Sequence, residues 1–332
     1  MKVDTLDRLD AIGETAWSAL HRRARLASPF LTYTWQREWT RTFASGARLE
    51  LRTVKDADGA LIAVLPLYEV EPGLLRTIGG TDVSDYLDLL CVAGREDDAW
   101  TALLGSSGEG IVWDLHAVPA ASPTVTALPA LADAAGFAMT AEIEERCPVL
   151  DLPASWDDYL AALSGKHRHE LTRKMRRLAR EVPDAHVTCA ATPDEIAGRF
   201  GDFLDLHRRS RTGKAKFMDE RMEAFFRRAI AALAAMGGAR LWLLDTSGGP
   251  MASFVTLEWD GTVGLYNSGF HPDRAALSPG LVLLARLVED AIVRGQRRFD
   301  FLRGEERYKY EFGPTPEPVY AVRLARRAEA PA

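Results

Sequence analysis

Cysteine is scarce in this chain of 332 residues: Cys91, Cys147 and Cys189 are odd in number and widely spaced. No Cys-x-x-Cys pair occurs, which argues against a zinc ribbon, a thioredoxin-like motif and a disulfide framework. All three are expected to serve as small apolar packing residues. No apolar run approaches the roughly 18 residues of a membrane helix, so no membrane span is expected. Asp4, Asp7 and Asp10 open the sequence with no apolar stretch behind them, so a signal peptide is not expected and a cytoplasmic location is. His-Glu-x-x-His, a Walker loop and a nucleophile elbow are all missing. His167 and His169 lie two apart on a predicted helix and cannot share a face, so no metal site is expected.

What is present is an ordinary globular composition, 47% hydrophobic and 27% charged. That excludes a disordered chain, and the length suits two cores of about 150 residues each. The net charge of -6 is unevenly spread. Residues 1–165 hold 13 Lys+Arg against 25 Asp+Glu, and residues 166–332 hold the remaining 28 against 22, a contrast of -12 and +6. Such a contrast fits two domains, with either a polyanionic ligand on the basic one or a plain difference in surface charge. Double-stranded DNA is not an expected partner, because no recognition motif is present and the chain is acidic overall.

Periodicity divides the chain in the same way. Two short helices are expected before Ser28-Pro29, followed by an amphipathic helix with Trp35, Trp39 and Phe43 on one face. Strands are expected at 49–55, 60–70, 74–78, 86–92, 111–116 and 137–142, with helices at 97–104 and 124–135. A proline-bearing connector at 146–156 marks the boundary between a lobe 1–150 and a lobe 151–332. The second lobe opens with helices at 156–163 and 166–180, the latter carrying seven Lys/Arg and one acid. Helices at 193–211 and 219–236 follow, the last stopped by Gly237-Gly238. Strands at 239–245, 251–259 and 262–270 form an antiparallel meander across short turns. A helix at 279–294 then leads to a strand at 297–302, which must run parallel to 262–270.

Several residues carry potential chemistry. Ser278-Pro279-Gly280-Leu281 reads as a capped helix start, with Ser278 the N-cap, whose N–H groups Gly280 leaves open to an anion. Asp300, flanked by Phe299 and Phe301 in a strand, is either paired with Arg298, Arg303 or Lys309, or is a carboxyl with raised pKa suited to a base. Glu305 follows Gly304 on a turn and is the stronger base candidate, whereas Glu306 reads as solvated. His207 is a base or a packing residue at a helix end. The cationic helix at 166–180 is a solvated face or an anion site, for the phosphate of a nucleotide, a lipid-linked sugar or tRNA.

Leu277-Ser278-Pro279-Gly280, followed some twenty residues later by Phe299-Asp300-Phe301-Leu302-Arg303-Gly304-Glu305-Glu306-Arg307-Tyr308-Lys309, resembles the BioF2-like or CelD/BcsL group of GNAT-superfamily acetyltransferases, relatives of the Fem aminoacyl transferases. The resemblance is closest over 155–315, and the first 150 residues are compatible with a degenerate first copy. It implies an α/β fold of two tandem GNAT-like lobes, each a mixed, mostly antiparallel sheet flanked by helices. It also implies acetyl-CoA as co-substrate in a cleft where strands 262–270 and 297–302 splay apart. Its pyrophosphate would lie on Ser278, Gly280 and Leu281, and backbone N–H groups near Asn267, Ser268 and Gly269 would polarise the thioester carbonyl. Tyr308 would protonate the leaving thiolate, or else pack beside Phe312. Asp85 and Tyr86 are implied acceptor contacts, and Arg303 and Lys309 are grouped with them as substrate-binding. The implied activity is transfer of an acyl group to an amine or hydroxyl of a small, lipid-linked or polysaccharide-precursor acceptor. The alternatives are transfer from charged tRNA, and a non-catalytic binding protein in polysaccharide assembly.

Overall fold

A computed structural model describes residues 1–210 and 212–327. They divide into two compact units, Met1–Arg146 together with the chain from Glu317 on, and Cys147–Pro316.

The first unit holds β1 (Lys2–Leu6), α1 (Glu14–His21), α2 (Tyr33–Phe43), β2 (Leu49–Lys55), β3 (Leu61–Glu71), β4 (Leu74–Thr77), β5 (Leu90–Cys91), α3 (Glu96–Gly105), β6 (Val112–Pro119), α4 (Pro123–Thr126), α5 (Leu128–Ala134) and the start of β7 (Phe137–Asp151). α2 starts where Thr32 accepts a hydrogen bond from the Trp35 N–H at 3.2 Å, and its Trp35 ring meets Phe30 edge-on. The expected helix pair before Ser28 is instead a strand and a helix. Val3 and the residues around it pair antiparallel with β2, and that ladder overrides local propensity. The strand expected at 86–92 contracts to two residues paired with β3.

Asp88 is buried in this unit and accepts hydrogen bonds from Ser122 and Thr124 hydroxyls and from the Leu89 N–H. Burial pushes its carboxyl up to about 6 from the ordinary 3.8, against the pull of those donors. A raised folded-state pKa stabilises the fold at acid pH, and that contribution is lost as pH rises from 3.8 through 6, about 3 kcal/mol in all. Asp88→Asn is therefore expected to make the protein more stable at pH 8 and to flatten its pH dependence. Urea unfolding of both forms at pH 5 and pH 8 checks this, and parallel slopes would refute it.

The second unit holds the end of β7, then α6 (Trp156–Ala162), α7 (Gly165–Glu181), β8 (His186–Ala190), α8 (Pro193–Ser210), α9 (Thr212–Phe217), α10 (Glu220–Ala235), β9 (Ala239–Asp245), β10 (Ala252–Trp259), β11 (Thr262–Phe270), α11 (Pro279–Val293), β12 (Arg298–Asp300) and α12 (Arg307–Tyr310). β13 (Thr315–Arg326) leads back into the first unit. The helix expected through Arg211 is described to Ser210, and Arg211 lies outside the described residues. α10 ends as its glycines predict: Gly237, at φ +73°, and Gly238 return their N–H groups to Ala234 and Leu233. α7 buries Leu171 and Leu178. α11, apolar along most of its length, lies in the same core beside Phe299 and Phe301 of the β12 segment.

Both units carry the expected mixed α/β architecture, and the strand order repeats. In the first, β1-β2-β3-β4 are antiparallel neighbours, and β6 joins β4 in parallel after α3. In the second, β8-β9-β10-β11 are antiparallel and β12 joins β11 in parallel after α11. An antiparallel strand then closes each: β13 on β6, and residues 149–151 of β7 on β12. The boundary placed at 150/151 thus falls inside a strand. The C-terminal stretch assigned to the second lobe groups with the first, because β13 finds its ladder there.

Candidate active site

The parallel pairing of β11 with β12 covers only Thr262–Gly264 against Arg298–Asp300. β11 continues to Phe270 while β12 stops, so the two strands part as the fold class requires. The ladder between β10 and β11 shifts register beside Val255, leaving Tyr266 as the extra residue of a bulge. Bulges bend a strand and re-aim its neighbours, and this one immediately precedes Asn267-Ser268-Gly269.

A cavity of about 260 Å³ lies at this opening. Phe254, Phe270, Ala275 and Leu281 give it apolar walls, and Ser268, Gly269, Ser278, Pro279, Gly280, Glu306 and Tyr308 complete the lining. Five of the six residues assigned to the donor therefore lie on one surface. Asn267 is the exception, since its Oδ1 accepts the Ser268 N–H at 3.2 Å instead of facing the cavity.

Ser278 departs from its expected role. It occupies the N-cap position of α11 but sits in the left-handed region, φ 53° and ψ 45°, and its side chain caps nothing. That conformation costs a residue with a Cβ about 1–2 kcal/mol. It leaves the first-turn N–H groups of α11 without a side-chain cap, at the positive end of a helix whose first turn bears no acid. A Cβ on Gly280 would find nothing nearer than the Phe270 Cβ at 4.0 Å, and Gly280 does not have a positive φ. Neither packing nor backbone geometry in the protein requires glycine there. Gly269 is the opposite case, because an added Cβ would sit 2.4 Å from the His207 N atom on α8.

The turn after β12 is held by two buried groups. Asp300 accepts the Leu302 N–H at 2.8 Å and so fixes Leu302 in the left-handed region at φ 55°. Lys309, 3% exposed, donates to the carbonyls of Leu302, Arg303 and Gly304 at 3.3, 2.8 and 3.0 Å and pairs with Glu306 at 2.9 Å. An ammonium has three N–H bonds, so Lys309 is fully engaged in shaping the turn and is not a substrate contact. Arg303 supplies one of those carbonyls and is not in the lining. The base candidate also shifts by one residue: Glu305 is exposed outside the cavity and accepts from the Tyr310 hydroxyl at 2.9 Å, whereas Glu306 lines it beside Tyr308.

Three other expectations change. His207 is 1% exposed, with its ring against Phe203 and Phe217 at 5.5 and 6.3 Å, so it packs in the core and does not line the cavity. Tyr86 is buried in the first unit beside Phe30 and is not an open contact; Asp85 is half-buried in the same loop. On α7, Glu170 pairs with Arg173, Glu181 with Arg177 and Arg180, and Glu311 with Lys174, so much of the cationic face is neutralised. Arg177 also donates to the Ala276 carbonyl at 3.1 Å, tying α7 to the turn that precedes Ser278. Cys91 and Cys147 are buried and Cys189 is exposed, and burial pushes the Cys91 thiol up to about 12.

An antiparallel meander, a helix begun by an uncapped turn, and a parallel strand that splays away from the meander together define a GNAT fold in the second unit. Residues 165–310 match the family model described as an acetyltransferase (GNAT) domain, so the chain carries a domain of that type. No curated protein sequence matches the chain. Among solved structures it is similar to FemX at 12% identity, covering 98% of each chain with a TM-score of 0.65. It is also similar to the C-terminal domain of a protein described as a lysylphosphatidylglycerol synthetase from Agrobacterium fabrum, at 12% identity over 95% of this chain and 91% of that one, TM-score 0.60. L-PGS from Bacillus licheniformis is similar at 13% identity over 85% and 86%, TM-score 0.53. At these identities the likeness is one of fold. Among the described residues no helix is long and apolar enough to cross a membrane, and no group of three or more metal-ligating side chains occurs.

Proposed function

We propose that the second unit is an acyltransferase that moves an acyl group, acetyl first among the candidates, from CoA to an amine or hydroxyl. The observation that carries this reading is the cavity at the β11–β12 split, where the uncapped start of α11 and Tyr308 share one surface. The fit to CoA rests on the chain itself. First-turn N–H groups offer phosphate ligands, and the open space over Gly280 lets a phosphate approach them. The equivalent helix of the first unit, α3, begins with Glu96, Asp97 and Asp98, which would repel a phosphate. This supports a donor site in the second unit and a degenerate first copy.

When bound, CoA supplies the activated thioester. The protein's part is then to orient it, polarise its carbonyl and manage two protons. Backbone N–H groups on the open edge of β11 beyond the bulge would hold the carbonyl oxygen. Glu306 would accept the proton lost by the acceptor, and the Tyr308 hydroxyl would give one to the departing sulfur. The acceptor suggested by the resemblance to the CelD/BcsL group is a small or lipid-linked precursor of cell-envelope polysaccharide. Titration calorimetry with acetyl-CoA and with free CoA tests the donor. Micromolar affinity for both, about -8 kcal/mol, is the expected result, and no heat from either overturns the reading.

A second reading has its own support. Among the described residues that line the cavity, the one charged side chain is Glu306, which is paired with Lys309 at 2.9 Å. A carboxylate there suits the ammonium of an aminoacyl group as well as it suits a base. The resemblance of the sequence to relatives of the Fem aminoacyl transferases is in keeping with an aminoacyl donor delivered on tRNA. Transfer from charged tRNA by a protein that ignores acetyl-CoA would favour it.

A further inference from the structure

The first unit has a cavity of its own, about 210 Å³, with no part in the reading above. Trp39 and Phe43, one turn apart on α2, form one wall, with ring centroids 5.9 Å apart, and Tyr68 of β3 meets Trp39 at 5.2 Å. Arg76 of β4 and His116 of β6 supply the polar side. The loop from Gly80 to Val83 closes the rim, drawn so tightly that a Cβ on Gly80 would meet the Trp39 indole at 3.0 Å.

Behind the polar side lies a chain of alternating charges. Arg76 donates twice to Asp114 Oδ2, at 2.9 and 2.6 Å. His116 reaches the same oxygen with Nε2 at 3.2 Å and places Nδ1 3.0 Å from Glu144 Oε1. The other Glu144 oxygen accepts the Ala117 N–H at 2.8 Å. Ala117 stands in the left-handed region at φ 55°, fully buried, a conformation that costs an alanine about 1–2 kcal/mol. Strain of this kind persists only where surrounding contacts enforce it, and it gathers at ligand sites. The hydrogen bond to Glu144, with Asp114 beside it, pushes the His116 imidazole up, and Arg76 and His116 pull the Asp114 carboxyl down against its burial.

We propose that this cavity binds a single pyranose-type sugar ring. Such a ring is uncharged, which suits a lining that holds Arg76 and Asp82 together. Its hydroxyls need donors and acceptors together, which the Arg76 guanidinium, held in place by Asp114, and the Asp82 carboxylate provide. Its C–H face needs an aromatic surface, which Phe43 and Tyr68 expose in part. The volume suits one ring and no more. An organic cation would meet Arg76 and His116, and an anion would meet the exposed Asp82 at the rim. The site stands independently of the acyl-transfer reading, since every residue in it belongs to the first unit.

Saturation-transfer NMR on the full chain tests this, with glucose, galactose and N-acetylglucosamine as probes and with tetramethylammonium and benzoate as charged comparators. The expected result is transfer to the ring C–H protons of at least one sugar, with millimolar affinity. Phe43→Ala and Arg76→Lys should each weaken it by about fivefold or more while the chain stays folded, as judged by its melting temperature. Two variants from different walls keep the test decisive if one is unstable. Absence of transfer to all three sugars, affinity unchanged in a folded variant, or binding of a comparator in place of the sugars overturns the proposal.

Discussion

Gly269→Ala is expected to destabilise the protein by about 3 kcal/mol, a large effect for one methyl group. The added Cβ would lie 2.4 Å from the His207 N atom and 2.5 Å from the Leu206 carbonyl carbon. These are backbone atoms near the C-terminal end of α8, so no rotamer change can relieve the clash. Either α8 lifts from the sheet or β11 moves away from it. His207 and Phe203 pack beneath that crossing, and both are almost completely buried, so separation also opens the core. Gly269 lines the cavity as well, and a shifted β11 would displace the donor surface. Chemical unfolding measures the loss, and a change below about 1 kcal/mol would mean the crossing is looser than the structure indicates.

The same crossing shows how much was legible from sequence. The meander and its crossover helix could be read because Asp260-Gly261 and Gly249-Pro250 punctuate apolar runs, and because an apolar helix must separate parallel strands. The donor surface was implied by the family resemblance that this order and the words around Ser278 and Phe299 carry. Proline hid the second half of β7 and the whole of β13. Pro148 lies within β7 and Pro316 and Pro318 within β13, and proline normally demotes a strand. Pro148 is tolerated because the ladder asks only for its carbonyl, which accepts the Phe301 N–H at 2.9 Å.

The turn after β12 resisted reading for another reason. Whether Glu305 or Glu306 faces the cavity depends on where α12 begins, a matter of one residue. Lys309 between two tyrosines gives no sign of burial, because its acceptors are carbonyls turned inward by the left-handed Leu302 and by Gly304 at φ +106°. Backbone carbonyls that converge on a point leave no mark in composition or spacing. Side chains whose partners are other side chains, or whose neighbours are fixed by helical period, were far easier to place.

The repeated strand order supports a division of labour. Each unit has the same parallel-strand junction, but α3 begins with three acids while α11 begins with Pro279-Gly280. A helix N-terminus attracts anions only when its own first turn does not already neutralise it. The first unit has instead kept a polar, aromatic-walled cavity beside its own parallel strands, β4 and β6.

Gly280 gives the sharpest test of the donor site, because stability and binding should move in opposite directions. Alanine has room at 280, with the nearest atom at 4.0 Å, and it replaces the residue that loses most backbone freedom on folding. Gly280→Ala should therefore raise the unfolding free energy by about 0.5–1 kcal/mol. The same methyl would stand over the first-turn N–H groups and weaken acetyl-CoA binding by about tenfold, the loss of one good hydrogen bond to a charged group. Gly280→Glu adds a negative charge at that helix end and should abolish binding while leaving the fold intact. Calorimetric titration alongside thermal unfolding reads both quantities from one preparation. A glycine kept for structural reasons would lose stability on substitution and leave binding unchanged, whereas a more stable protein that has lost its donor would mark Gly280 as space reserved for a phosphate.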